Sequence, residues 1–132
     1  MPPESVWTAC TYCARTKRAE QGLLPAVDRY LSDRIARLHA SGPMLILSGK
    51  YGLLSPSDPI PWYDHLLMPD EVGEMASIVA IQLLERKVRA IEFHTADPAT
   101  TTPIRPYVAV MKAACREVGI ELSLVILEGD PD

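Results

Sequence analysis

The sequence has few cysteines, no long apolar run and no excess of positive charge. The sequence has three cysteines, a low and odd number that does not suit a disulfide framework. This count predicts reduced thiols in a cytoplasmic protein. No apolar run approaches the roughly 20 residues that span a bilayer. The first residues also lack the basic segment and apolar block of a secretory signal. We therefore expect a cytoplasmic protein that has no membrane partner.

The charge balance narrows the classes of partner. A formal net charge of −4 argues against a general affinity for the phosphate backbone of nucleic acids, although a local basic patch is compatible with it. The chain of 132 residues is 48% hydrophobic and 23% charged, as in globular proteins with a real core. Without repeats, low-complexity tracts or linkers, residues 1–132 are expected to form one domain.

Apolar periodicity predicts four strands that alternate with three helices. The predicted strands cover residues 6–10, 44–47, 88–95 and 120–127, and the predicted helices cover 24–40, 69–84 and 103–118. This order predicts an α/β protein with a single three-layer α/β/α domain. Its sheet is expected to be mainly parallel and four-stranded, in a Rossmann-like or flavodoxin-like arrangement. The connection 49–68 is too long for a plain crossover loop and is predicted to be functional.

Unusual residues follow the ends of the first three predicted strands. Cys10 ends the first strand, the run 48–52 (Ser-Gly-Lys-Tyr-Gly) follows the second, and His94 lies at the end of the third. Ligands of open α/β sheets bind beyond the carboxyl ends of the strands. We therefore expect these groups to share one edge of the sheet, and the segment 63–65 at the end of the long loop to reach back to it.

Gly49 and Gly52 bracket Lys50 and Tyr51 in the run after the second strand. Glycine tolerates positive φ and allows a ligand to approach the backbone closely, and Lys50 can hold a phosphate or carboxylate as a point charge. The spacing of a nucleotide-triphosphate cradle, G-x-x-x-x-G-K-[ST], is absent. A glycine turn with a surface lysine is the plainer interpretation, but the strand-end position favours a site.

Cys10 and Cys13 form a C-x-x-C pair that has four interpretations. A structural zinc site needs four ligands, and no second pair exists, so His65, His94 or Asp97 would have to complete it. A redox pair after a strand is the second interpretation, but the thioredoxin context is missing. A single reactive Cys10, with Arg15 or Lys17 nearby, is the third, and a small residue packed at a strand end is the fourth. We expect no bound metal and no cofactor.

Asp64 and His65 follow Tyr63 at the end of the long loop. The pair has the chemistry of an acid and a base, since histidine titrates near neutrality. Adjacent side chains of an extended loop point apart, however. Asp64 would then accept hydrogen bonds from a ligand hydroxyl or base edge, with Tyr63 stacked beside it. The alternative is a loop anchored by Trp62 and Tyr63, in which Asp64 makes a turn.

The last predicted helix carries residues for which core packing is the expected role. Tyr107 and Cys115 lie on its apolar face, and Gly119 is expected to cap it. His94, by contrast, ends a strand, where a histidine is frequently hydrogen-bonded only to nearby groups. Its position at the shared edge nevertheless favours inclusion in the site.

Several of these elements together resemble a family of small bacterial and archaeal proteins with an S-[AG]-K-Y-G-L-L…Y-D core. The matching positions are Cys10 or Cys13, Lys17, 30–32 (Tyr-Leu-Ser), 46–54, Ile60 and 63–64 (Tyr-Asp). The portion 48–63 also resembles the peroxide-stress protein YaaA family, which binds DNA. More weakly, the early Cys and Lys and the Tyr-x-Ser element are similar to the core domain of archaeosine synthase, a tRNA-modifying enzyme.

The resemblance implies a site for a nucleobase- or nucleotide-like ligand, in an enzyme or a ligand-binding protein. The resemblance implies that this site includes Cys10, Lys17, Ser48, Lys50, Tyr51, Tyr63 and Asp64. Taken together with the strand-end argument, the expected site has Cys10, Lys50 and Asp64 as catalytic residues, and Lys17, Ser48, Gly49, Tyr51, Gly52, Tyr63, His65 and His94 as ligand-binding residues. A non-enzymatic DNA- or RNA-binding stress module is the first alternative, with Arg15, Lys17, Arg18 and Lys50 as its basic patch. A small zinc-containing structural domain is the second alternative.

Overall fold

The computed structural model describes residues 6–11, 24–25, 44–55, 57–60 and 66–126, and for 6–11 and 24–25 it describes the backbone. The strands are β1 (Val6–Thr11), β2 (Leu24–Pro25), β3 (Met44–Ser48), β4 (Gly52–Leu54), β5 (Pro59–Ile60), β6 (Ala90–Thr95) and β7 (Glu121–Ile126). The helices are α1 (Val72–Glu85) and α2 (Arg105–Val118), and a short 3-10 turn leads directly into each of them. The described part of the chain is therefore a mixed α/β structure.

Five strands form one sheet in the order β4-β3-β1-β6-β7. The four strands expected from the sequence, β3, β1, β6 and β7, are parallel neighbours. The parallel character of the sheet is thus confirmed, but the expected number of strands was too small. The additional strand, β4, pairs with β3 in the antiparallel sense.

Two segments differ locally from the sequence prediction. β4 lies within the 49–68 connection, which was expected to be a loop; there the chain turns back at once and pairs with β3 over three positions. Leu24–Pro25, expected to begin a helix, is extended and pairs with β5, because a proline disfavours helical geometry in the residue before it. Residues 26–40 of that predicted helix lie outside the described residues.

Helices α1 and α2 pack against each other and against one face of the sheet. Their buried side chains meet Leu45, Leu47 and Phe93 from the sheet in one core. Helical periodicity predicts an apolar stripe on α1 at positions 72, 75, 76, 79, 80, 83 and 84. The stripe is confirmed except at Leu84, which is 60% exposed. The prediction that Leu84 is buried is wrong, because Leu84 lies about 100° around the helix from Leu83, which points into the core.

β3 is buried on both of its faces, as its continuous apolar run predicts. Leu45 and Leu47 face the α1/α2 core, whereas Met44 and Ile46, at the alternate positions, are equally buried but do not belong to that core. Successive side chains of a strand point to opposite faces. At β3, therefore, water is excluded from both faces of the sheet, including the one opposite α1 and α2.

The end of α2 agrees with the sequence prediction. Gly119 has φ +71° and caps the helix, with Ile120 N donating to Cys115 O at 2.9 Å. This is the hydrogen-bond pattern of a glycine-terminated helix. Tyr107 and Cys115 are both buried, which confirms their expected core role.

Cys115 makes the stability of the fold sensitive to high pH. Burial raises the pKa of its thiol to about 11, because the thiolate loses its hydration. The thiol ionises at a lower pH in the unfolded chain than in the folded one. Its contribution to the stability of the fold is therefore complete below the pKa of the unfolded thiol, and it is lost as the pH rises towards 11. In urea unfolding at pH 8 and pH 10.5, we expect a steeper loss of stability for the wild type than for Cys115→Ala. Equal losses would contradict this role.

Candidate functional site

The sheet has a topological switch point between β1 and β6. From β1 the chain crosses to β3 on one side, and from the β3–β4 hairpin it returns across the sheet to β6 on the other side. Loops diverge from each other at such a point, which is where open α/β sheets bind ligands. The crevice between the carboxyl ends of β1 and β6 is therefore the natural location of a site.

Cys10 and His94 are neighbours at this switch point. They are Cα partners across β1 and β6, one residue before each strand ends, and adjacent strands lie about 4.8 Å apart. Cys10 is also the Cα partner of Ile46 on β3. Two of the residues singled out in the sequence are therefore brought together by the strand register.

The imidazole of His94 has a buried nitrogen with no hydrogen bond from the described residues. The His94 side chain is 17% exposed and lies 3.5 Å from the Glu92 carboxylate, measured from Nε2 to Oε1. Nε2 is buried and has no hydrogen-bond partner in the described part of the chain. Since buried polar atoms are nearly always hydrogen-bonded, this atom marks a position where a ligand donor or acceptor would be favourable.

The turn between β3 and β4 is built around Ser48. Its hydroxyl oxygen accepts hydrogen bonds from Lys50 N at 3.1 Å and from Tyr51 N at 3.2 Å, and Ser48 is fully buried. Lys50 is exposed, with Nζ 5.4 Å from the centroid of the Tyr51 ring. The serine thus shapes the turn that presents the lysine at the carboxyl end of β3.

Gln82 of α1 holds the same hairpin from the other side, and the sequence analysis did not identify it. Its Oε1 accepts from Leu53 N at 2.7 Å, and its Nε2 donates to Tyr51 O at 3.1 Å. Leu53 N belongs to an edge strand, so the amide satisfies a group that would otherwise lack a sheet partner. No local pattern could have indicated Gln82, because its partners lie 29 and 31 positions away.

The position of the Gln82 amide also explains why residue 52 is a glycine. Gly52 has φ +77°, and a Cβ at this position would lie 2.5 Å from Gln82 Oε1. Gly52 is predicted to be a ligand-binding residue, and in the structure the Gln82 amide occupies the space that its Cβ would need. Gly49, the other glycine of the turn, is buried.

Several predicted site residues lie outside the described residues. These are Lys17, Tyr63, Asp64 and His65, together with Cys13. Asp97 is described, and it organises its own loop: its carboxylate accepts from Ala99 N at 2.9 Å, and its carbonyl accepts from Thr101 N at 2.9 Å. Among the described residues, no group of three histidine, cysteine or acidic side chains is arranged to hold a metal ion.

Comparison of the chain with known families, proteins and structures supports neither the family resemblance nor the candidate site. No family model, no curated protein and no solved structure matches this chain. The resemblance to the family with the S-[AG]-K-Y-G-L-L core therefore stays an expectation. None of the helices in the described part of the chain is long and apolar enough to cross a membrane.

Proposed function

We propose that this chain binds a nucleobase- or nucleotide-like ligand in the crevice between the carboxyl ends of β1 and β6. One observation carries the proposal: at the topological switch point, beside Cys10, His94 presents a buried Nε2 that has no hydrogen-bond partner among the described residues. Either tautomer of a neutral imidazole offers a donor or an acceptor. Both suit the polar edge of a base.

We further propose that Cys10 acts on the bound ligand as nucleophile or as acid/base, which would make the protein an enzyme. Support comes from its register position next to His94, because a nearby imidazole is a common activator of a thiol. Lys50 is assigned to an anionic group of the ligand, since it is an exposed cation at the end of β3. Asp64 is assigned to a sugar hydroxyl or a base edge on the sequence argument alone.

We also propose that the complete domain is a three-layer, flavodoxin-like α/β/α unit. The β1–β3 connection runs in the opposite direction across the sheet from those that contain α1 and α2. Right-handed crossovers would therefore put its helix on the opposite face. The burial of Met44 and Ile46 on that face supports the same arrangement. The three cysteines favour the cytoplasm as its location.

A nucleic-acid-binding module is the second candidate, and the exposure of Lys50 at the sheet edge favours it. In that case Lys50 and the basic residues of 15–18 would contact phosphates, and binding would weaken steeply as salt rises. A small-molecule site built around His94 predicts a much weaker dependence on salt.

The test is a thermal-shift screen over bases, nucleosides, nucleotides and short oligonucleotides, followed by calorimetry on any compound that raises the melting temperature. We expect Lys50→Ala and Asp64→Ala each to weaken binding about tenfold or more, the loss of one charge-assisted hydrogen bond. His94→Ala should weaken binding about two- to tenfold, the loss of one neutral hydrogen bond. Lys112→Ala, an exposed lysine on α2, serves as the matched control.

The stability of the variants separates a functional role from a structural one. Lys50 is exposed, so Lys50→Ala should leave the melting temperature within about 2 °C of wild type, as surface substitutions usually do. If Lys50→Ala or Asp64→Ala unfolds the chain, the residue is structural. If all variants bind as tightly as wild type, the assigned site is wrong. Binding only to oligonucleotides, with a steep salt dependence, would favour the second candidate instead.

A further inference from the structure

A second cavity lies on the other side of the sheet from His94, between the first turns of α1 and α2. Its volume is about 690 Å³, and its walls include Leu66, Met68, Val72, Pro103, Pro106 and Ala109. Small-molecule sites usually have volumes of about 300–1,000 Å³ and mostly apolar walls. This cavity has the dimensions and the lining of such a site.

The mouth of the cavity exposes apolar surface to water. Leu66 and Met68 are each 49% exposed, although Leu67 between them is buried and anchored by Tyr107. Burying apolar area is favourable in proportion to the area removed from water, and methionine adapts readily to different ligand shapes. An apolar ligand body in this cavity would therefore cover side chains that the protein leaves half-exposed.

Arg105 is the charged residue of the lining. Its Nε donates to Pro98 O at 2.7 Å and one Nη donates to Ala99 O at 3.4 Å, so the guanidinium is held before any ligand arrives. No carboxylate of the described residues forms an ion pair with it. A ligand anion would thus meet a pre-positioned cation, which reduces the entropy lost on binding.

The kind of anion follows from the same residues. One guanidinium is matched by one negative charge, and its planar fork suits a planar carboxylate. Pro103 and Pro106 lack N–H groups, so the start of α2 offers few backbone donors to a phosphate. We propose that this cavity binds an amphipathic monocarboxylate, with its apolar body between α1 and α2 and its carboxylate on Arg105.

The proposal is tested with sodium decanoate and decan-1-ol, both below the concentration at which they aggregate, by calorimetry on the full chain. Decanoate should bind roughly three to ten times more tightly than decanol, the effect of one partly exposed charge pair. Arg105→Gln should reduce decanoate affinity to that of decanol, and Arg105→Lys should restore part of the difference. Arg116→Gln, an exposed arginine at the far end of α2, should change nothing.

Filling the cavity gives an independent arm of the test. Ala109→Phe and Val72→Phe should each weaken the binding of both probes by about tenfold or more, because the added ring occupies the space of the ligand body. Far-UV circular dichroism shows whether each variant has folded. If one of the two has not folded, the binding measured on the other variant decides the test. Absence of decanoate binding, equal affinity for both probes, or unchanged binding to a folded filled variant would each overturn the proposal. His94→Ala should not affect decanoate binding, which separates this site from the one at the switch point.

Discussion

Replacing Gly52 with alanine is expected to lower the free energy of unfolding by about 2–5 kcal/mol. Two costs add at this position. A residue with a side chain at φ +77° is strained by about 1–2 kcal/mol. In addition, the new Cβ would displace the Gln82 amide from Leu53 N and Tyr51 O, and each lost hydrogen bond costs about 0.5–1.5 kcal/mol.

Two other glycines, Gly119 and Gly73, provide matched controls in the same urea unfolding experiment. Gly119→Ala shares the positive φ but has open space at Cβ, so it should cost only the backbone strain of about 1–2 kcal/mol. Gly73→Ala lies in helix α1, is not crowded, and should stabilise the chain by up to about 1 kcal/mol. The order of the three variants therefore separates the strain from the collision.

A double variant identifies the collision partner. Gln82→Ala alone removes the two hydrogen bonds, and adding Gly52→Ala to it should then cost little more than Gly119→Ala, because no amide is left to displace. Coupled residues depart from additivity in this way. Strictly additive losses, or a Gly52→Ala variant as stable as Gly119→Ala, would mean that Gln82 does not hold the hairpin.

Replacing Tyr107 with phenylalanine is expected to lower the free energy of unfolding by about 1–3 kcal/mol, although it removes only one oxygen atom. The Tyr107 hydroxyl accepts a hydrogen bond from Leu67 N at 3.1 Å, and both residues are almost fully buried. Phenylalanine would leave that N–H buried without a partner, which costs more than the hydrogen bond itself contributes. The bond fastens the segment 66–68 to α2, between the long loop and the apolar cavity.

Hydrogen exchange measures this effect at the residue concerned. The Leu67 amide should exchange much faster in Tyr107→Phe than in wild type, while amides in the middle of α1 should change only by the loss of global stability. Ser77→Ala removes an exposed hydroxyl on α1 and should change stability by less than about 0.5 kcal/mol. An unchanged Leu67 exchange rate would mean that the hydroxyl does not secure the segment.

The elements that the sequence predicted correctly are those with a clear signal within a short stretch of the chain. β3 is a continuous apolar run, α1 carries an apolar stripe after Pro69, and α2 ends at Gly119; each feature is local and each appears where it was expected. β4 was missed because it has only three residues and depends on an antiparallel partner and on Gln82. Such contacts between distant residues leave no periodic signal in the sequence.

The candidate site was predictable to a similar extent. The rule that ligands bind at strand ends brought Cys10, His94 and the 48–52 run to one edge, and the strand register places Cys10 beside His94. The order of the strands, and with it the switch point, could not be derived from the sequence, because periodicity within a strand carries no information on which other strand it pairs with. The apolar cavity was missed because its walls come from two segments, 66–72 and 102–109, that are far apart in the sequence.

The most direct test of the site at the switch point is carbon–proton NMR of the three histidine side chains while bases, nucleosides and nucleotides are added in turn. The His94 signals are assigned with His94→Gln. At least one compound should shift the imidazole signals of His94 with saturation, and those of His39 should stay in place. If a compound raises the melting temperature but leaves the His94 signals unmoved, or if no compound moves them, the crevice between β1 and β6 is not the binding site.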